Sequence, residues 1–410
     1  MLLFFLFFTL SVLAVELYAY QALKVTTRKG PFRWLYWSFT AIGYGIFVTQ
    51  LILFLIGAKY RGLIGISFAS FITLAIAKWL IILLLFVEDV FRLLKAVRRK
   101  IGSNKSEGNF LPSRKKFISQ LALGLTAIPF ASVLYGVLRG RYDFRVVRHS
   151  LYFDDLPKSF DGYQITHISD LHMGTFDDRE KVIYAIDLIQ NQQSDIILFT
   201  GDLVNNESKE VLPWQNILSR LSAVDGVYSV LGNHDYSDYK RWESAEAKQA
   251  DFENLVGLQK EMGFSLLRNE AVTLNRNDDQ LSLVGVENWG DRFVKKGDME
   301  LAQQNVHPKS FKILMSHDPS HWDQIVKDHP MHYHLTLSGH THGMQFGVEI
   351  PGWIKWSPIQ ARYKYWAGIY QENGRYINVN RGLGCLGFPG RIGIWPEITV
   401  ITLKKGVKSS

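Results

Sequence analysis

Ile165-Thr166-His167-Ile168-Ser169-Asp170-Leu171-His172 is a short apolar, β-branched run that stops at a carboxylate and an imidazole. The same pattern, strand first and ligand next, recurs four times downstream. Gly201-Asp202 follows Ile196–Thr200, and Gly232-Asn233-His234-Asp235 follows Val227–Leu231. Ser316-His317-Asp318 follows Phe311–Met315, and Gly339-His340-Thr341-His342 follows Tyr333–Leu337. Between these runs lie stretches with helical spacing. Glu180–Gln193 repeats apolar residues at Val182, Ile183, Ile186 and Ile189, and Ser244 to Met262 reads as a polar-faced helix. Strands alternating with helices define an α/β layer fold. Further strands are expected at Ser265–Leu274 and Gln280–Val286, around the turn Asn277-Asp278-Asp279, and at Tyr376–Asn380 and Ile398–Leu403.

In open α/β sheets, ligands collect beyond the carboxyl ends of the strands, which is where all five segments fall. Asp170 and Asp202 are 32 residues apart and Asp202 and Asn233 are 31 apart, about one strand-helix unit each. The side chains can therefore converge from adjacent strands. Two cations held roughly 3.5–4 Å apart need a bridging group that offsets their repulsion. A carboxylate can bridge, and Asp202 is the natural candidate. A mixed Asp/His/Asn set suits Mn, Fe or Zn better than Ca or Mg.

The 410-residue chain carries a net charge of +8, which conceals two opposite halves. Residues 1–150 hold 20 Lys/Arg against 5 Asp/Glu, a balance of +15, whereas residues 151–410 hold 26 against 33, a balance of −7. The basic excess belongs to the N-terminal part, so the remainder presents no nucleic-acid surface. Cys385 is the only cysteine, which excludes an intramolecular disulfide.

Four apolar runs in the basic part are long enough to cross a bilayer as helices: about Leu2–Tyr20, Trp34–Gly57, Leu63–Val87 and Phe117–Leu138. The first lacks a basic start and contains Glu16, so it reads as an uncleaved span rather than a signal peptide. Trp34, Tyr36, Trp37 and Tyr60 mark expected span ends, and Lys78 within the third run faces another helix or water. Lys24, Arg28, Lys29 and Arg33 follow the first run. Arg92, Lys95, Arg98, Arg99, Lys100, Lys105, Arg114, Lys115 and Lys116 follow the third, whereas only Lys59 and Arg61 follow the second. Basic loops stay cytoplasmic, which places both termini and the later domain outside, on a multi-pass protein of the inner membrane. Ser113-Arg114-Lys115-Lys116-Phe117 is a weaker alternative, a degraded twin-arginine export signal whose cleavage would release the domain.

The five segments resemble the calcineurin-like metallophosphoesterase superfamily, whose ordered pattern is D-x-H, G-D, G-N-H-[DE], H and G-H-x-H. The wording ISDLHMG, TGDLV, LGNHD and LSGHTHG, with RGLG…P…R…PEIT…ITL from Arg381 to Leu403, is similar to its membrane-associated bacterial branch. The resemblance implies a four-layer α/β/β/α sandwich preceded by four transmembrane helices. It divides the chain into an anchor at 1–140, a linker at 141–160 and a metallophosphoesterase domain at 161–405. It implies that Asp170, His172 and His342 hold one divalent metal, that Asn233, His317 and His340 hold the other, and that Asp202 lies between them. A bridging hydroxide would attack phosphorus, His234 would protonate the departing oxygen, and Asp235 would hold its imidazole in the useful tautomer. Some members of that branch act on UDP-diacylglucosamine or other lipid-linked phosphoesters. The implied reaction is hydrolysis of a phosphomonoester or phosphodiester, with membrane lipids as partners. Soluble periplasmic nucleotides or phosphoproteins are the alternative substrates, and a ligand-binding membrane sensor is the alternative from another class.

Three positions depart from the branch: Met344 for a second glycine, Asn205 where aspartate is frequent, and Glu287-Asn288 where paired aspartates are frequent. They bear on substrate choice rather than on hydrolysis. His167, His307, His321, His329, His332 and His334 read as structural residues. The stretch holding Trp353, Trp356, Tyr363, Tyr365 and Trp366 with Lys355, Arg362 and Lys364 suits either an interfacial surface or the packing of a C-terminal subdomain.

Overall fold

A computed structural model describes residues 2–27, 30–55, 64–101, 112–350 and 352–407. The chain forms two compact units, Met1–Val137 and Leu138–Ser410.

The first unit is helical. Helices α1 (Leu2–Thr26), α2 (Gly30–Leu55), α3 (Ile64–Ile101) and α4 (Pro112–Leu138) coincide with the four apolar runs. Among the described residues, Lys116–Leu138 is by length and composition able to cross a membrane on its own. Trp34, Leu35, Ile42, Leu83, Phe86, Leu94 and Ile128 all point outward, the inverse of a water-soluble helical bundle. With 38 residues, α3 is about 57 Å long, nearly twice a bilayer core. It therefore runs past the expected end at Val87 and carries Arg92, Lys95 and Arg98 on helix. Arg28, Lys29, Lys59, Tyr60, Arg61 and Lys105 lie outside the described residues.

Lys78 faces a neighbouring helix. Its Nζ lies 2.5 Å from Glu16 Oε1 and donates to Thr40 Oγ1 at 3.1 Å. Tyr36 and Tyr44 donate to the Glu16 carboxylate at 2.9 and 2.8 Å. The pair thus ties α1, α2 and α3 together. Removing one partner of such a buried pair costs about 3–5 kcal/mol, because it leaves the other charge buried and uncompensated.

The second unit is built on two six-stranded sheets. Its strands in chain order are β1 (Arg145–Phe153), β2 (Gln164–Ile168), β3 (Ile196–Phe199), β4 (Val227–Ser229), β5 (Phe264–Leu266), β6 (Glu270–Arg276) and β7 (Asp279–Gly285). There follow β8 (Phe311–Met315), β9 (Leu335–Ser338), β10 (Val348–Ile350), β11 (Ile354–Trp356), β12 (Gly368–Glu372), β13 (Arg375–Val379) and β14 (Glu397–Lys405). One sheet runs β1-β14-β2-β3-β4-β5 and the other β12-β13-β9-β8-β7-β6, with β10 and β11 forming a separate hairpin. Strands β2 to β5 are mutually parallel, as are β7, β8, β9 and β13.

Residues 141–160, expected as a linker, are instead part of this unit. β1 pairs in parallel with β14 from Arg145↔Glu397 to Phe153↔Lys405. A pairing across some 250 residues of sequence leaves no local signal, and Arg145–Phe153 lacks clean period-two alternation.

Burial gives the layers. Leu281, Leu283, Phe311, Ile313 and Met315 meet Ile165, Leu198, Ile401 and Leu403 in the core between the sheets. The alternate residues Val284 and Leu314 point the other way, as strand geometry requires, onto Trp322, Met299 and Ala302. Helices α5 (Arg179–Gln190) and α6 (Ala245–Glu261) cover the outer face of the first sheet through Val182, Ile186, Leu255 and Leu258. The result is the expected four-layer α/β/β/α sandwich, and it brings the carboxyl ends of both sets of parallel strands to one edge.

Candidate metal centre

Each expected ligand follows a strand directly: Asp170 and His172 after β2, Asp202 after β3, Asn233 after β4, His317 after β8, and His340 and His342 after β9. The turns are tight and strained. Asp170, His172, Asp202, His340 and His342 all have φ between 43° and 69°, a left-handed conformation that costs side-chain-bearing residues energy and concentrates at functional sites. Glycines let neighbouring strand ends approach this closely. A Cβ on Gly339 would stand 2.2 Å from Asp170 Oδ2, and one on Gly232 would stand 2.2 Å from Asp202 Oδ1.

Two clusters result, Asp170-His172-His342 and Asp202-His317-His340, each able to hold a metal ion. In the first, His172 Nε2 lies 3.0 Å from His342 Nε2, which lies 3.2 Å from Asp170 Oδ1. In the second, His317 Nε2 lies 3.2 Å from Asp202 Oδ2 and 3.2 Å from His340 Nδ1. Donors bonded at about 2.1 Å around one cation stand about 3.0–3.4 Å apart, so these spacings fit. Asp202 Oδ2 is also 3.5 Å from His172 Nε2, so the second cluster borders the first at this atom.

Asn233 shows a different signal. Its Nδ2 donates to the Tyr239 hydroxyl at 2.7 Å, leaving Oδ1 buried with no hydrogen-bond partner among the described residues. A buried acceptor without a donor is costly, and a cation supplies what is missing.

Electrostatics favour positive charge here. Burial works against a proton on His317, yet Asp202 and Asp170 raise it to about 10. Burial likewise opposes charge on Asp170, but His342 and His317 hold it well below the usual carboxylate range. Burial pushes His172 and His340 down, toward the neutral form that ligates metals.

Surrounding groups orient the ligands. His317 Nδ1–H donates to the Thr200 carbonyl at 2.7 Å, presenting Nε2 to the site. His340 presents Nδ1, with Nε2 against the Tyr363 hydroxyl at 2.9 Å and Asp318 Oδ2 at 3.4 Å. Arg391, fully buried, donates to the carbonyls of Gly382 and Gly384 behind His342. Tyr239, Tyr363 and the Asp318 contact escaped sequence reasoning, although Asp318 stands beside His317 in the motif.

The role expected for Asp235 is corrected by the structure. Its carboxylate accepts the backbone N–H groups of Gly232, Asp202 and Leu203 at 2.8–2.9 Å and does not orient the His234 ring. The ring is held by the backbone carbonyl of Asn205, 2.7 Å from Nδ1. A carbonyl only accepts, so Nδ1 carries the hydrogen and Nε2 is left for chemistry. Tyr239 stacks on the imidazole at 4.0 Å and 15°. Asp235 instead ties the β3 and β4 turns together, with burial and the Asp202 charge raising its pKa to about 7. The three departures are displaced from the ligands. Met344 is exposed, Glu287 is bonded to Asn269, and Asn205 contributes through its backbone.

A double-sandwich fold with two adjacent histidine-carboxylate clusters defines a hydrolase of the metallophosphoesterase class. Residues 163–344 match the family model described as calcineurin-like phosphoesterase. Residues 1–141 match the one described as probable calcineurin-like phosphoesterase, transmembrane domain. The chain is 32% identical over 261 residues to the uncharacterized metallophosphoesterase YkuE of Bacillus subtilis, spanning 62% of this chain and 84% of that protein. It is 26% identical to a transmembrane protein with metallophosphoesterase domain of Danio rerio, over 79% of this chain and 71% of that one. It is 28% identical to the UDP-2,3-diacylglucosamine pyrophosphatase LpxG of Chlamydia trachomatis, over 64% of this chain and 92% of that enzyme. This protein belongs to the calcineurin-like phosphoesterase family and is a membrane-associated member of it.

Proposed function

We propose that Asp170, His172 and His342 hold one divalent cation and Asn233, His317 and His340 a second, with Asp202 bridging, and that the centre hydrolyses a lipid-linked phosphoester on the extracytoplasmic face. The observation that carries the hydrolytic reading is Asp202 Oδ2, within 3.5 Å of His172 Nε2 and 3.2 Å of His317 Nε2. Mn, Fe or Zn suits the mixed donor set. Bound there, the cations would supply Lewis-acid stabilisation of the phosphoryl oxygens and an acidified water as nucleophile. The protein's own groups do the rest. Asp202 and Asp170 neutralise the added positive charge. His234, its Nδ1–H held by Asn205, carries a proton on Nε2 to the leaving oxygen, and the Tyr239 ring keeps the imidazole plane fixed.

Two considerations support a lipid-linked substrate. The catalytic unit is fused to a transmembrane domain, and a relative bears the name of a diacylated sugar nucleotide's pyrophosphatase. Beside Tyr363 a cavity of about 370 Å³, lined by Arg292, Arg362 and Lys364 with Asp291 and Asp323, offers room for a charged headgroup. The basic residues after the first and third apolar runs support the extracytoplasmic placement.

The test uses right-side-out and inverted membrane vesicles carrying the full-length protein, given lipid-linked diphosphate esters and a membrane-impermeant soluble phosphodiester. We expect metal-dependent cleavage of both by right-side-out vesicles, with kcat/KM at least tenfold higher for the lipid-linked esters. Preference for soluble nucleotides would overturn the substrate class, and cleavage of the impermeant ester by inverted vesicles alone would overturn the orientation.

A further inference from the structure

The hairpin of β10 and β11 leaves most of an apolar face exposed. Its register pairs Val348 with Trp356, Glu349 with Lys355 and Ile350 with Ile354. Cross-strand partners share a face and successive residues alternate, so Val348, Ile350, Ile354 and Trp356 form one face, Glu349 and Lys355 the other. A hairpin lying on a soluble domain ordinarily turns its apolar face inward. Here the polar face is the one tied down. Glu349 accepts two hydrogen bonds from Arg381, at 2.7 and 2.8 Å, and Arg381 is also paired with Glu397. Lys355 Nζ donates to the Ala367 carbonyl.

Glu349 and Lys355 are themselves exposed, and on the apolar face Ile354 is half-buried while the other three residues are open. Val348, Ile350 and Trp356 are 42–45% exposed, and Trp353 at the turn is 76% exposed. Phe346 and Met344, also exposed, continue the patch back toward His342, six residues before Val348. The other three aromatics of the stretch behave differently: Tyr363, Tyr365 and Trp366 are buried. One end of the stretch therefore packs the subdomain while the other faces outward.

We propose that this hairpin docks on the lipid bilayer in which the chain's own transmembrane domain sits, with Trp353, Ile350 and Trp356 entering the boundary between headgroups and acyl chains. Tryptophan prefers that boundary, where its ring is apolar and its indole N–H stays near water. The bilayer is also the apolar phase always within reach. Six residues lie between Leu138, the end of α4, and Arg145, the start of β1, a reach of at most about 25 Å. Because the hairpin begins just after the His342 turn, docking brings the metal centre to lipid headgroups. This inference goes beyond the proposed function and holds for either class of substrate.

The chain's only cysteine, Cys385, is buried, so an introduced cysteine can be labelled selectively. Full-length protein in phosphatidylethanolamine–phosphatidylglycerol nanodiscs would carry an environment-sensitive nitrobenzoxadiazole probe at Trp353→Cys, at Ile350→Cys, or at the control Val224→Cys, a position 91% exposed. We expect the two hairpin probes to be blue-shifted, quenched at least twofold by shallow nitroxide lipids and shielded from aqueous iodide, and the control to show the reverse. Hairpin probes that iodide quenches as strongly as the control would overturn the proposal. So would probes shielded from iodide yet untouched by lipid nitroxide, which would mark a protein partner. The readout needs no turnover, so lipid contact without cleavage of lipid-linked esters would sink the substrate reading alone.

Discussion

Replacing Asp202 by Asn should lower kcat/KM for an aryl phosphodiester by roughly 10³-fold, about 4 kcal/mol of transition-state stabilisation. Bound metal should fall from two ions per chain to one or fewer. The expectation follows from where the two carboxylate oxygens go. Oδ2 faces His172 Nε2 at 3.5 Å and His317 Nε2 at 3.2 Å, the position from which the proposed bridge would reach both cations. Oδ1 accepts the backbone N–H of His234 at 2.8 Å and so also positions the turn that carries the acid. Asn keeps the shape and that hydrogen bond but removes the negative charge that offsets repulsion between two cations. If Asp202→Asn kept two metals and wild-type turnover, the bridging role would be wrong. Metal analysis beside initial rates separates loss of the centre from misfolding.

Replacing His234 by Asn should act on the proton and not on the metals. We expect kcat to fall about 10²- to 10⁴-fold for esters with an alkoxide leaving group, the range for loss of a positioned general acid. The fall should be much smaller for a nitrophenyl ester, whose leaving group departs without a proton. Metal content should remain at two per chain, because His234 belongs to neither cluster. Equal losses on both esters would contradict a proton-donor role, as would loss of metal. Asn205 enters the same argument through its backbone. Because its carbonyl holds Nδ1–H, substitution of the Asn205 side chain should leave His234 in place.

Much of the centre was legible because its ligands sit at strand ends, where local pattern and topology agree. The apolar runs before Asp170, Asp202, Asn233 and His317 end within two residues of the observed strands, and six of the seven expected ligands fall into two clusters able to hold a metal ion. What escaped depends on tertiary contact. Tyr239 beside His234 and Tyr363 beside His340 carry no marker that separates them from other tyrosines. Asp235 reads as a partner of its neighbour His234, yet the turn geometry sends its carboxylate to the N–H groups of Gly232, Asp202 and Leu203. β1 was hidden because its partner lies at the far end of the chain. The hairpin was visible only as a mixed aromatic-cationic stretch, since composition does not say which face is tied down.

Two cations held by this constellation should be required for phosphoester hydrolysis. The direct measurement strips the purified full-length protein with a chelator, then titrates Mn²⁺ while following bound metal and aryl phosphodiester turnover together. We expect no turnover in the stripped protein, with activity rising as occupancy goes from one to two ions per chain. Full turnover by the stripped protein, or maximal turnover at one ion per chain, would contradict it.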